Sequence, residues 1–225
     1  MSAPVLFSRI ARSVSIFTFA AVASALVLAQ APAPAAPTPE QQAARLAMEE
    51  LNKQPDSVGT GRFAAMKEEI AALSEHVVYR PRDLAALGDS KLGVVAWGNG
   101  GCSDDAASSR FHLLELASHG YLVIANGRIL SGPGAPPRQP RQPAAQAAAG
   151  QAAAPPSSPT RAAQLTAAID WALQENQRSG SAYFGRIDPN QVAVSGFSCG
   201  GIQALAVAAD PRIKTLVLQN TGIFN

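Results

Sequence analysis

The spacing of apolar residues changes character near residue 76. Upstream it is helical. Ala44, Met48 and Leu51 share one face over Glu40–Lys53; Phe63, Met66, Ile70 and Leu73 share another over Phe63–Leu73, with QPDSVGTG between them. From His76 onward, short unbroken apolar runs alternate with amphipathic stretches. HVVYRP predicts a short edge strand stopped by Pro81, and KLGVVAW a strand ending in GNGGC. Ser103 is placed to cap a helix, with Asp104 and Asp105 in its first turn, Phe111, Leu114 and Ala117 on its buried face and Gly120 at its end. YLVIAN predicts the next strand. Thr160 caps another helix that buries Leu165, Ile169 and Leu173. QVAVS then predicts a strand, GGIQALAVAA a helix and IKTLVLQN a last strand.

This alternation predicts an α/β fold, with a mostly parallel sheet, right-handed crossovers and helices on both faces. Near-continuous apolar strands fit a sheet covered on both sides. Three stretches stand apart. Arg9 and Arg12 flank the apolar run Val14–Leu28, which reads as an export signal over residues 1–29, cut after Ala29. Residues 30–39 are a Pro/Ala linker, and the domain takes in residues 40–225. Residues 131–160 hold eight prolines and almost no large apolar group, so burial cannot offset their ordering entropy; they predict a disordered insertion.

A chain of 225 residues, 47% hydrophobic, suffices for one such domain. The net charge of +2 is near balance and no basic stripe is present, which argues against a nucleic-acid partner. Export implies a secreted or periplasmic protein, no stable membrane span after signal cleavage, and an oxidising compartment. The two cysteines lack C-x-x-C spacing and no metal-ligand cluster appears, so neither a metal nor a cofactor is implied.

The chemistry-bearing stretch is Gly196-Phe197-Ser198-Cys199-Gly200, between a predicted strand and a predicted helix. Glycines two residues before and after a serine are the signature of a nucleophile elbow, where a β-carbon at either position would collide in the tight turn. Gly201 lets the following helix pack closely on the strand. Ser195 lies in the strand and reads as packing. A serine that forms an acyl-enzyme needs two N–H groups aimed at the developing oxyanion. Cys199, next to the nucleophile, supplies one. The glycine turn Gly98-Asn99-Gly100-Gly101 supplies the other, from Asn99.

In their order, VVAWGNGGCSDD, ELASHGYLVIANG, RIDPNQVAVSGFSCGG and DPRIKTLVLQN resemble the first two-thirds of an α/β-hydrolase domain. The similar branch is that of secreted bacterial esterases akin to chlorophyllases, dienelactone hydrolases and polyester hydrolases. The resemblance covers about residues 76–225 and implies a small-molecule or polymeric ester as substrate. Two residues depart from the family pattern: Trp97 stands for the His before the oxyanion glycine, and Phe197 for the His before the nucleophile. The family order places an acid and then a histidine after the serine. Here only Asp210 is acidic beyond Ser198, too close behind the elbow helix to be the acid, and no histidine follows. His76, His112 and His119 all precede the serine and read as solvated or locally hydrogen-bonded. The expectation is therefore either a fragment of an esterase or a non-catalytic pseudo-hydrolase. A third reading takes Gly98-Asn99-Gly100 as a dinucleotide turn with Arg128 on a 2′-phosphate, but Ser103 occupies its sixth position and the elbow goes unexplained.

Cys102 lies three residues beyond Asn99, and an oxyanion hole draws Asn99 and Cys199 together. The two cysteines are thus either joined after export or remain two buried thiols acting as small apolar residues.

Overall fold

Strands form where the apolar runs lie. The computed structural model describes residues 37–137 and 159–221. The expected signal segment (residues 1–29), residues 30–36 of the expected linker and residues 138–158 of the expected insertion lie outside the described residues. The strands are β1 (Ala65–Glu69), β2 (His76–Pro81), β3 (Leu92–Gly98), β4 (Tyr121–Asn126), β5 (Ile187–Phe197) and β6 (Thr215–Gln219). The helices are α1 (Pro39–Lys53), α2 (Arg110–Ser118), α3 (Ala162–Gln177) and α4 (Cys199–Val207). One six-stranded sheet runs β1-β2-β4-β3-β5-β6. β2 is antiparallel to β1 and to β4; the pairs β3–β4, β3–β5 and β5–β6 are parallel. The molecule is thus of the α/β class with a mostly parallel sheet.

Side-chain alternation sorts the strands into two apolar layers. Val78, Val94, Ala96, Leu122, Ile124 and Val194 pack with Leu165, Ala168 and Ile169 of α3 and Ala204 of α4. On the other face Val77, Tyr79, Val95, Trp97, Val123 and Ala125 pack with Leu113, Leu114 and Ala117 of α2. All seven residues of β3 are buried, as a central parallel strand requires. The α2 face is covered only as far as β3. Beyond it, Val217 on β6 is 42% exposed and Phe197 on β5 is 40% exposed. A cleft of about 370 Å³ opens there, lined by Val95, His112, Ser195, Val217 and Gln219 among others.

Four local expectations change. Phe63–Leu73 is not a helix: Ala65–Glu69 pairs along β2, and only Ala71–Leu73 makes a helical turn. Sheet pairing overrides the helical spacing of Met66 and Ile70. β2 is consequently internal, and β1 forms the edge. Helix α2 starts at Arg110, not after Ser103, because Asp105 is held by a turn: its carboxylate accepts from the N–H groups of Ala107 and Leu130. The N-cap of α3 is Arg161, whose N–H donates to Gln164 Oε1 at 2.7 Å; Thr160 is turned elsewhere. No helix among the described residues is long and apolar enough to cross a membrane.

Candidate active site

β3 and β5 lie side by side and parallel, with Gly98 opposite Gly196, so the turns that follow them meet. The turn after β5 contains Ser198, at φ 51° and ψ −119°. That combination is the glycine-favouring first corner of a tight turn, and a serine there is strained. The turn is fixed by its own backbone. Ser198 N–H donates to the Gln219 carbonyl at 2.9 Å. The Ser198 carbonyl accepts from Gly201 N–H at 2.9 Å, from Ile202 N–H at 3.3 Å and from Thr221 Oγ1 at 2.7 Å. Helix α4 begins at the next residue, so the N–H groups of Cys199 and Gly200 have no acceptor within the helix and mark its positive end.

The glycines explain the contact between the two turns. A β-carbon on Gly196 would overlap the Gly200 carbonyl; one on Gly200 would overlap the Gly98 carbonyl and come within 2.6 Å of the Asn99 nitrogen. On Gly98 it would reach the Gly200 oxygen at 2.6 Å, and on Gly100 the Phe197 ring at 2.5 Å. Gly201 has a different neighbour from the one expected. Its missing side chain makes room for Thr221, in the loop after β6, not for the strand. Gly101 faces open space but adopts φ 63°, and Cys102 follows at φ 49°. Such a left-handed pair suits Gly101 and costs energy at Cys102.

Asn99 is fully buried with an extended backbone (φ −82°, ψ 152°). Its side chain does not point outward. Nδ2 donates to the Ser103 carbonyl at 2.9 Å and to the Asn126 carbonyl at 2.6 Å. Cys102 and Cys199 are joined, with α-carbons 5.2 Å apart and the two residues 97 positions apart in sequence. Asn99, Gly98, Gly100, Cys102, Gly196, Ser198, Cys199 and Gly200 are therefore one backbone cluster at the ends of two adjacent strands.

Beside this cluster, Gln203 carries no sequence signal of its own, and the sequence marks Thr160 only as a helix cap. Gln203 and Thr160 are both buried. Thr160 donates to the Cys102 carbonyl through its N–H at 2.8 Å and its Oγ1 at 3.1 Å. Gln203 Nε2 donates to the Thr160 carbonyl at 2.6 Å and lies 3.1 Å from Cys102 Sγ. Thr221 and Gln219 hold the elbow from behind.

The histidines are engaged elsewhere. His76 Nε2 meets the Gln164 carbonyl at 2.9 Å, and burial holds its pKa below the ordinary imidazole value. His112 accepts from Gln219 Nε2 at 3.1 Å, its ring 5.2 Å from that of Trp97; burial lowers its pKa too. His119 pairs with Glu115 on α2. Asp210 accepts from the Arg212 side chain and backbone, which hold its carboxyl down at about 2. It is consumed by an ion pair and is not free to orient a base. Arg128 is exposed and its backbone is committed to Asp104 and Ala106. Among the described residues no group of His, Cys, Asp and Glu could hold a metal ion.

The chain was also compared with known proteins. No protein-family model and no curated protein matches it.

Proposed function

We propose that this chain carries the nucleophile half of a serine hydrolase acting on carboxylic esters, on an α/β-hydrolase scaffold. The observation that carries this reading is the strained backbone of Ser198 at the strand-to-helix turn, wedged against the Gly98–Asn99 turn. Strain of this kind persists only where the surroundings over-determine it, and it favours presenting a side chain at a tight corner. In the reaction, Ser198 Oγ attacks the ester carbonyl and the alcohol departs, leaving an acyl group on the serine. The N–H groups of Asn99 and Cys199 stabilise the oxyanion of the tetrahedral intermediate, helped by the positive end of α4. Water then hydrolyses the acyl-enzyme. Both steps need an imidazole base. None of the three histidines is tied to Ser198.

That last observation favours a second reading, a non-catalytic protein on the same scaffold. A dinucleotide site is less well supported. The glycines after β3 lead into a single tight helical turn, Gly100–Cys102, and the next helix opens only at Arg110. A pyrophosphate would find no helix N-terminus at those glycines.

The deciding experiment treats the 225-residue chain with a fluorophosphonate, using added imidazole as external base, and locates the adduct by peptide mass spectrometry. The expected result is imidazole-dependent modification of Ser198 that Ser198→Ala abolishes. Modification that is absent, or unchanged in Ser198→Ala, overturns the hydrolase reading and leaves the non-catalytic one. Without imidazole, aryl-ester turnover is expected at background, because removing one member of a triad costs orders of magnitude in rate.

A further inference from the structure

The turn that holds Asn99 is short and conformationally costly, with Gly101 at φ 63° and Cys102 at φ 49° in succession. Two independent tethers reach it. One is covalent, from Cys102 to Cys199. The other is a chain of hydrogen bonds that converges on one side chain. Gln203 lies on α4, five residues beyond Ser198, and is buried. Through Thr160 its carboxamide reaches the Cys102 carbonyl, which accepts both the N–H and the hydroxyl of Thr160. Through Asn126 Nδ2, 3.5 Å from Gln203 Oε1, it reaches the residue whose carbonyl takes the Asn99 side chain. Gln203 thus contacts the first and fourth residues of Asn99–Cys102 through one intermediary each, and touches Cys102 Sγ directly at 3.1 Å.

This network is a poor device for stability. Asn99 Oδ1 and Asn126 Oδ1 are both buried without a hydrogen-bond partner among the described residues. Each such group carries a desolvation cost that apolar side chains of the same size would avoid. What polar groups supply here, and apolar ones do not, is direction: they fix where a carbonyl and a carboxamide sit relative to α4. Both Gln203 and the disulfide anchor the turn to the same helix, whose first residue is Cys199.

Resting on the serine hydrolase reading, we propose that Gln203 is the positioning residue of the oxyanion turn, and that its carboxamide and the Cys102–Cys199 disulfide are parallel tethers, either of which keeps Asn99 docked on the elbow. The disulfide is opened by a dithiol reductant, which is itself oxidised to a disulfide while Cys102 and Cys199 each end as a thiol. The turn then stays in place as long as Gln203 is intact.

The test is backbone amide exchange at Gly100–Ser103 in four states: wild type and Gln203→Met, each oxidised and reduced with a dithiol. Amides of β3 and β5 report on the rest of the fold. Losing one tether is expected to raise exchange in the turn only about threefold, and losing both by about a hundredfold, with the sheet amides unchanged. Thr160→Val, which removes the hydroxyl that donates to the Cys102 carbonyl and accepts from the Gln203 carboxamide, carries the same comparison should reduced Gln203→Met fail to fold. Its reduced form is expected to exchange about tenfold faster in the turn. An effect that is equal in oxidised and reduced protein, or that extends to the sheet amides, overturns the parallel tethers. Fluorophosphonate labelling of the same samples is a separate readout, expected to slow in step with turn exchange. If exchange follows the expected pattern while Ser198 labels in no state, the positioning of the turn by Gln203 stands and the hydrolase reading falls.

Discussion

Ser198 occupies a conformation that glycine adopts without penalty and other residues adopt at a cost of about 1–3 kcal/mol. Replacing it by glycine should therefore stabilise the fold, an unusual outcome for a residue in a tight turn. We expect Ser198→Gly to raise the folding free energy by about 1 kcal/mol, read as a higher urea midpoint, while Ser198→Ala leaves it near wild type. A lower midpoint for the glycine variant would show that the backbone there is relaxed. Gly200 has the opposite sensitivity. Its β-carbon would overlap backbone, the Gly98 carbonyl, which cannot swing aside as a side-chain tip does. Gly200→Ala is expected to destabilise by about 1–3 kcal/mol, measured by the same titration. Much of this cluster was legible in the sequence. Glycine at plus and minus two from a serine has few reasons to exist other than backbone crowding. Gln203, Thr160 and Asn126 were not legible. Their significance comes from partners 27 to 101 positions away, and nothing in their immediate neighbours signals that proximity.

The elements divide along a similar line. Leu92–Gly98 and Tyr121–Asn126 read as strands because they are buried on both faces, and their composition shows it. Ala65–Glu69 does not, because it lies at an edge and carries Lys67, Glu68 and Glu69; only its ladder to β2 makes it a strand. Charged residues on an outer strand also discourage a further chain from pairing there. The loop between α4 and β6 gives a pH-dependent prediction. Arg212 hydrogen-bonds Asp210 and holds its pKa at about 2, below the unfolded value near 3.8. A lowered carboxylate pKa means that its stabilisation is present above the unfolded value and is lost as the pH falls toward 2. Between pH 4 and pH 2 the urea midpoint of wild type should fall more steeply than that of Asp210→Asn. Equal slopes would mean the ion pair contributes nothing.

On the scale of the whole molecule, the bond between Cys102 and Cys199 is the longest-range link in sequence that is covalent. Closing a loop of 97 residues in the unfolded chain is worth about 4–5 kcal/mol on chain-entropy grounds. Reduction is expected to lower the unfolding free energy by close to that amount, measured in urea with and without a dithiol. A loss under about 1 kcal/mol would place the stabilisation elsewhere. The same bond has a consequence for the chain as a polymer. It encloses α2, β4, α3 and all of β5 in one covalent ring, from which residues before Cys102 and after Cys199 emerge as two tails. A single backbone cut anywhere within that ring opens it without releasing a piece. The two products should migrate as one band on a denaturing gel run without reductant and as two when reductant is added. A nicked molecule would therefore keep both halves of the Ser198 cluster on one covalent body.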